Sequence, residues 1–465
     1  MSAPAKIAAS RLADIVGHNN SSCDPAELAA YQCGAVAPGG VARPGSAEEV
    51  AELVRMAAVE NLAVIATGAR TKLEMGLPPS RYDIAIDMTR LDRVAAYDPA
   101  DLTLGVEAGC GLAKLQSVLA EHRQFLPLAV PYFRQTTVGG TIATAVDSPL
   151  RQLFGTARDY ILGMEFVTGE GVAAKSGGRV VKNVTGYDLH KLMIGALGTL
   201  GIMTKINFRT FPVPVENRAF VARFENSKGA FDMCDRATES PLRPSTMEIL
   251  SPQVAELFGS DAASRMERSA LPGDLLSRKH WAFTSGFAGN ETVLGRYERD
   301  FREMAEKCGA VGIAVLAQDQ ISGAFGRKRE FIPIALASSP AATILKLSVV
   351  PRRMNDAVTN AARLADENGL RWAAMARGIG VIYFVLRPEA KDEQTRSEVA
   401  KTAEKVINAT AGMDGHATIP WCPREWKPSM AIWGRERSDF SQMAKLKKLF
   451  DPRGILAPGR FVGGL

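Results

Sequence analysis

The stretch from Ser176 to Pro214, SGGRVVKNVTGYDLHKLMIGALGTLGIMTKINFRTFPVP, constrains the fold more than any other. Its pattern predicts strand, turn, short helix, tight glycine turn, strand. Asp188 stands where a helix N-cap belongs, and Leu189, Leu192, Met193 and Ala196 recur at the spacing of one apolar helix face. Gly198-Thr199-Leu200-Gly201 then turns the chain into an apolar strand from Ile202 to Phe211, stopped at Pro212 and Pro214. Such a turn is either a plain helix-to-strand connection or a place where a large flat group lies against bare backbone.

The chain has 465 residues, enough for two or three domains around a sizeable core. No apolar run reaches the length of a membrane span, and residues 1–17 lack the continuous apolar centre of a secretion signal. Six cysteines (Cys23, Cys33, Cys110, Cys234, Cys308, Cys422) form no CxxC pair. This argues against a zinc or iron–sulfur site and for a reducing, cytoplasmic setting. The net charge of +6 is spread out, without the basic stripe of a nucleic-acid binder. The densest basic run, Lys445, Lys447 and Lys448, reads as a solvated helix face.

In chain order, Ser46 and Glu49 have capping-box spacing ahead of a helix burying Val50, Leu53, Val54, Ala57 and Ala58. A strand at Ala63 to Ala66 leads into Thr67-Gly68-Ala69-Arg70-Thr71-Lys72. A loop of small residues, hydroxyls and cations supplies what a phosphate needs. It is neither a P-loop nor a GxGxxG turn. Strands follow at Ile84 to Met88, Val94 to Tyr97 and Leu102 to Glu107, the last two joined by an Asp98-Pro99-Ala100-Asp101 turn, then a helix from Leu112 to His122. Thr136-Thr137-Val138-Gly139-Gly140-Thr141 is a second glycine and hydroxyl corner, opening a small-residue helix at Ile142 to Val146. Gly169-Glu170-Gly171 is a hairpin turn after the strand Ile161 to Thr168. With Gly198 to Gly201 this makes three glycine/threonine corners, which one site for a long, phosphate-bridged planar cofactor would explain.

Past Pro214 the order becomes strand, helix, strand, strand, helix, strand, and then repeats. That is a ferredoxin-like α+β layer used twice.

The combination resembles the FAD-linked oxidases whose flavin domain is shared with vanillyl-alcohol oxidase and p-cresol methylhydroxylase. The residues that carry the resemblance are RPGSAEEVAEL (43–53), TGARTK (67–72), VEAGCGLAKLQ (106–116), TTVGGTIAT (136–144), KNVTGYDLHKL (182–192), GTLGI (198–202) and FDPRGILAPGRF (450–461). It implies an α+β fold with a two-part FAD-binding domain and a ferredoxin-like cap. The implied boundaries are an N-terminal extension at 1–39, the FAD-binding domain at 40–214, the cap at 215–415 and a returning segment at 416–465. It implies non-covalent FAD held by Thr67, Gly68, Ala69, Arg70, Thr71, Lys72, Thr136, Thr137, Val138, Gly139, Gly140, Gly198, Thr199 and Ile202. In the family these corners bind the diphosphate mainly through backbone donors. The first loop lacks the family's usual string of glycines, and Arg70 and Lys72 stand as compensating charge.

The departures bear on function. The family's 2-hydroxy-acid dehydrogenases carry a histidine-rich HxGDGNxH segment for metal and base, and a late SGEHGIG. This chain's five histidines, His18, His122, His190, His280 and His416, match neither, so no metal site is expected and His416 reads as structural. Ala196-Leu197 stands where catalytic members have Ser-Glu before GTLGI. This resembles the second FAD-binding subunit of bacterial glycolate oxidase, although the cap is longer than that subunit's. The resemblance implies oxidation of glycolate or another small 2-hydroxy acid, alongside a related catalytic FAD subunit and an iron–sulfur subunit. It implies a cytoplasmic place, at the inner face of the membrane through the complex. The alternative is a self-sufficient FAD-dependent alcohol or D-2-hydroxy-acid dehydrogenase. Arg329, in Arg329-Glu330, resembles the dehydrogenases' substrate-carboxylate arginine, with a surface charge as the competing reading. Tyr187, Asp188 and Lys182 read as packing residues.

Overall fold

The computed structural model describes residues 9–179, 186–269 and 275–465, so Lys182 lies outside the described residues. The first sheet contains β1 (Ser21–Ser22), β2 (Gly40–Ala42), β3 (Val64–Thr67) and β4 (Ile84–Asp87) in the order β1-β2-β4-β3. β2, β4 and β3 run parallel, and Leu456 from the end of the chain adds a parallel bridge to Val64. The helix Ala47–Glu60 covers this sheet because Val50, Leu53, Val54 and Ala57 share one face and are fully buried. Its start is capped as the spacing predicts at Ser46, whose Oγ accepts from Glu49 N (3.2 Å). The Glu49 carboxylate reaches one residue further back, accepting from Gly45 N (2.7 Å).

A second, antiparallel sheet holds β5 (Val94–Asp98), β6 (Thr103–Glu107), β8 (Ile161–Val167), β9 (Ala173–Gly177) and β10 (Ile202–Arg209) in the order β5-β6-β10-β8-β9. β7 (Gln124–Phe125) pairs separately with β11 (Phe211–Pro212). The Asp98 turn is an Asx turn, its carboxylate accepting from Ala100 N (3.1 Å) and Asp101 N (3.2 Å).

Two expectations fail here. The helix drawn through Leu189 to Ala196 is one turn long, His190–Met193, and Asp188 pairs with Lys191 (2.7 Å) instead of capping it. Gly195, at φ 81°, breaks the helix and donates to Ile142 O (3.0 Å), and Leu197 N donates to Ala143 O (2.9 Å). The backbone leaves its own helix to bond the neighbouring one, Val138–Thr144. That helix begins four residues before the predicted Ile142, with Thr137 as N-cap accepting from Gly140 N (3.2 Å).

The other failure is Lys447, which is buried and not solvated. Its ammonium donates to Thr199 O (2.9 Å), Leu456 O (2.8 Å) and the Asp451 carboxylate (2.6 Å). Asp451 in turn accepts from Ile455 N (3.1 Å) and Leu456 N (2.8 Å).

The cap is one eight-stranded sheet made of β12 (Glu216–Phe224), β13 (Thr246–Leu250), β14 (Trp281–Gly289), β15 (Gly312–Leu316), β16 (Thr343–Ser348), β17 (Trp372–Arg377), β18 (Val381–Leu386) and β19 (His416–Trp421). Its order is β15-β12-β14-β13-β17-β18-β16-β19. Each half has the 4-1-3-2 ferredoxin-like order, and the two join through their second strands, β13 and β17. The strands alternate. Phe220, Ala222 and Phe224 pack under the helices Ser227–Glu239, Glu291–Lys307, Met354–Glu367 and Glu393–Ala411. The other face presents Leu250, Met375 and Tyr383 to Val146 of the N-terminal half.

That inner face also carries polar pairs to the first half. Arg377 Nη1 donates to Asp147 (2.5 Å), both groups buried, with the guanidinium 5.3 Å from the centre of the Tyr383 ring. Glu330 accepts from Tyr132 N (2.6 Å) and Phe133 N (3.1 Å). Lys427 reaches the Glu74 carbonyl and, at 3.2 Å, its carboxylate.

Lys447→Met leaves Asp451 buried without its cation. Removing one member of such a pair is expected to cost about 3 kcal/mol. Chemical denaturation checks this, and a loss below about 1 kcal/mol, the level of an exposed pair, would show the network is not structural.

Candidate cofactor site

The loop after β3 opens into a cleft between the two N-terminal sheets. The backbone N–H groups of Gly68, Ala69, Arg70, Thr71 and Lys72 donate to nothing in the described residues, while the next amide, Leu73 N, donates to Arg70 O (3.2 Å). Arg70 sits at φ 61°, which bends the loop into a concave shape. A run of free amides in a concave turn is an anion cradle. Thr67 adds a buried hydroxyl with no partner.

The opposite wall comes from Thr136 to Thr144. A Cβ on Gly68 would overlap Thr137 Oγ1, and one on Gly139 would stand 2.8 Å from Ala108 O. Both glycines are therefore required by close approach. Three consecutive amides of this wall are already used. Val138 N donates to Cys110 O (2.9 Å), Gly139 N to Ala108 O (2.7 Å) and Gly140 N to Thr137 Oγ1. Val138 to Gly140 thus supply space, and the run of free donors comes from the first loop. Val138 itself is fully buried in the core behind the wall.

Thr67 to Lys72, Thr136, Thr137 and Gly140 line one lobe of the cleft with Leu197 and Arg460. An adjoining lobe of about 420 Å³ is more apolar, with Met88, Gly139, Gly198, Ile202 and Met203 in its walls. Thr199 points away from both. Its Oγ1 donates to Ala196 O (2.7 Å), and its carbonyl accepts from Lys447 Nζ (2.9 Å). Leu197 and Arg460 were not among the sequence candidates. Leu197 is held at φ 53°, and Arg460 Nη2 donates to Leu73 O (2.5 Å) and Met75 O (2.6 Å), shaping the end of the loop.

The loop's two cations differ. Arg70 turns into the wall, bonding Asp87 (3.1 Å) with its guanidinium 4.4 Å from the Tyr31 ring centre. Lys72 faces the cleft, buried, with Nζ donating to Thr136 Oγ1 (2.5 Å). Burial pushes Lys72 down to about 8, against the pull of the Glu330 carboxylate.

Arg329 does not offer a free charge. It pairs with Glu267 (3.3 Å) and Glu330 (3.1 Å) and lies over Phe133 at 4.5 Å. This is neither a surface charge nor an open carboxylate receptor, but a clamp between cap and N-terminal half. His416 stands across the cap sheet from Ser348. Burial lowers its pKa, with Arg437 and Lys346 adding to the effect. Among the described residues no group of three or more His, Cys, Asp or Glu could hold a metal ion.

An FAD binding domain family matches residues 38–177, and the C-terminal domain of FAD linked oxidases matches residues 213–418 and 431–461. The chain belongs to the FAD-linked oxidases. It is 25% identical over 431 residues to glycolate oxidase subunit GlcD of Bacillus subtilis, covering 91% of this chain and 88% of that one. It is 26% identical to D-2-hydroxyglutarate dehydrogenase of Xanthomonas citri, covering 91% and 89%. Glycolate oxidase subunit GlcE of Escherichia coli is 32% identical over 164 residues, 35% of this chain and 46% of that one. Among solved structures, p-cresol methylhydroxylase superposes with a TM-score of 0.77 at 16% identity, covering 97% of this chain and 95% of that one. 4-Ethylphenol oxidase from Gulosibacter chungangensis also gives 0.77, at 17% identity, covering 99% and 98%.

This FAD-linked oxidase has a cleft that fits the cofactor on its own geometry. The free amides and Lys72 suit a diphosphate, and the lobe at Gly198 to Met203 suits a flat apolar ring. No helix among the described residues is long and apolar enough to cross a membrane.

Gly68→Ala is expected to weaken FAD binding at least about tenfold, or ~1.4 kcal/mol. Flavin fluorescence quenching measures it, and unchanged affinity would remove this loop from the site. A diphosphate prefers the protonated Lys72, so FAD affinity should fall as pH rises through about 8. Lys72→Met should flatten that dependence, and a Lys72→Met protein that kept it would assign the titration elsewhere.

Proposed function

We propose that this chain is the FAD-binding subunit of a complex that oxidises glycolate or a similar small 2-hydroxy acid. The observation that carries the FAD role is the run of five free amides, Gly68 to Lys72, beside a buried lysine. The glycolate oxidase and D-2-hydroxyglutarate dehydrogenase likenesses support a hydroxy-acid substrate. The shared stretch with GlcE, and the absence from the sequence of the paired histidine motifs, support dependence on a related catalytic subunit. An iron–sulfur subunit would carry electrons onward.

When bound, FAD supplies a hydride acceptor for the carbon that bears the substrate hydroxyl. The protein's own part is to hold and to shield. Gly68 to Lys72 would bind the diphosphate, and Thr67, Thr136, Thr137, Gly139 and Gly140 would flank it. Gly198 and Ile202 would line the ring lobe. Lys72 holds a proton at Nζ against Thr136 Oγ1. The inner face of the cap packs on Val146 of the N-terminal half, where it would help to exclude water. No covalent link to FAD is implied, since neither the corner at 67–72 nor that at 136–141 holds a His or Cys.

The second reading, a self-sufficient D-2-hydroxy-acid dehydrogenase, is favoured by likenesses that run over 91% of the chain. Anaerobic titration of the FAD-loaded chain separates the two. Under the subunit reading, glycolate, D-lactate and D-2-hydroxyglutarate leave the flavin absorbance unchanged until the partner subunits are added. Bleaching by any of them in the isolated chain would overturn it in favour of the self-sufficient enzyme. A colourless preparation that cannot be reconstituted with FAD would sink both.

A further inference from the structure

We propose that the outer edge of the cap sheet, at β15, pairs with the same strand of a second copy of this chain, joining two eight-stranded sheets across a two-fold axis. β15 bonds β12 on one side only. On its other side, alternate amides and carbonyls have no partner strand among the described residues.

The other sheet edges among the described residues each carry a device against such pairing. β1 ends the first sheet with only two residues. At the opposite end, β3 is covered by the returning segment, where Val64 N donates to Ile455 O (2.8 Å) and Ala457 N to Val64 O (2.8 Å). In the second sheet, β5 has a register shift between Val94 and Ala96 and ends on Asp98, while β9 carries the exposed Lys175. The strands β7 and β11 are two residues long, and β11 contains Pro212. β19, the far edge of the cap, contains Pro420 and a register shift, and Ile419 N turns to Ile432 O (2.8 Å). β15 has none of these. From Gly309 to Ala317 there is neither a charge nor a proline, and its register with β12 runs without a shift. Natural sheets avoid a regular, uncharged edge of this kind unless something covers it.

The surroundings of β15 are apolar too. Val311, just before the strand, is 48% exposed, and Val215, just before β12, is 80% exposed. The two stand at opposite ends of β15, since Asn217 N at the start of β12 donates to Gln318 Oε1 (3.1 Å) just beyond Leu316. A second copy fits this edge better than a charged peptide does. With Ala314 on the two-fold axis, all five residues pair, and Ile313 lies opposite the partner's Val315. Apolar β-branched residues placed opposite each other favour such pairing. Charge on the adjoining helix Glu291–Lys307 agrees. Arg296 and Arg299 share the single carboxylate of Asp300, leaving net positive charge, while the exposed Glu306 near the other end forms no ion pair among the described residues. The short connection from Lys307 to Gly312 lays this helix antiparallel to β15. The two-fold axis therefore brings the acidic end of one helix towards the basic part of its copy.

The experiment follows the mass of the full FAD-loaded chain by light scattering and sedimentation over a range of concentrations. The parent is expected at twice the chain mass. Ala314→Lys sets two like charges opposite each other at the axis and should raise the dimer dissociation constant at least about tenfold. Ala314→Glu should do the same, and an equal mixture of the two variants should dimerise again, because the opposed charges then attract. Val311→Lys, at a more exposed position, should also weaken the dimer, and it decides the matter alone if the Ala314 variants lose bound FAD and so report misfolding. Val350→Lys, in the other half of the cap, should leave the dimer unchanged. The proposal is overturned if the parent stays monomeric, if the folded variants at 311 and 314 dimerise as the parent does, or if mixing folded Ala314→Lys and Ala314→Glu restores nothing. A parent that stays monomeric until a different subunit is added would assign the edge to that subunit instead. The outcome does not depend on which substrate the chain oxidises.

Discussion

The buried ammonium of Lys447 ties together parts of the chain that are far apart in sequence. It bonds the carbonyl of Thr199, in the glycine turn, and that of Leu456, in the segment that extends the first sheet beside Val64. Asp451 neutralises it and caps the same segment through two amides. One charge thus locks the turn behind the cofactor cleft to the sheet in front of it. Its two carbonyls and one carboxylate satisfy all three ammonium protons, which is what makes a buried lysine tolerable.

The same logic joins the cap to the N-terminal half. An apolar face would hold the two together, and Val146 against Leu250 and Tyr383 provides one. Asp147 against Arg377, and Glu330 against two backbone amides, add direction. Buried hydrogen-bonded charges accept few alternative positions, so the roof over the cleft has a defined register. Arg329 belongs to this group. Its place between Glu267, Glu330 and Phe133 explains an arginine that motif comparison alone assigned to substrate.

Elements set by local pattern were legible in the sequence. The strands and helices read for the cap fell where alternation and helical spacing put them, because each strand has one face under helices, but its edge strand His416–Trp421 was missed, lying in the segment assigned from 416 onward to the FAD-binding domain. Thr67 to Lys72 could be read as an anion loop from their small, hydroxyl and basic side chains. What local pattern hides is which donors are already spent. Val138, Gly139 and Gly140 resemble a phosphate corner, yet their amides bond Cys110, Ala108 and Thr137. Long-range partners also escape it. Lys447 reads as solvent-facing because its burial depends on Thr199, 248 residues earlier. The overlong helix at Leu189 is a different failure, since Gly195 was visible and its left-handed φ was the stop.

Arg460 shapes the cofactor loop by bonding the carbonyls of Leu73 and Met75, 387 and 385 residues before it. A ribosome extends the chain from one end, so the loop is synthesised long before the guanidinium that fixes its exit. During that interval the free amides and their facing wall exist without the contact that sets the loop's exit. The final shape of the loop therefore waits for residue 460.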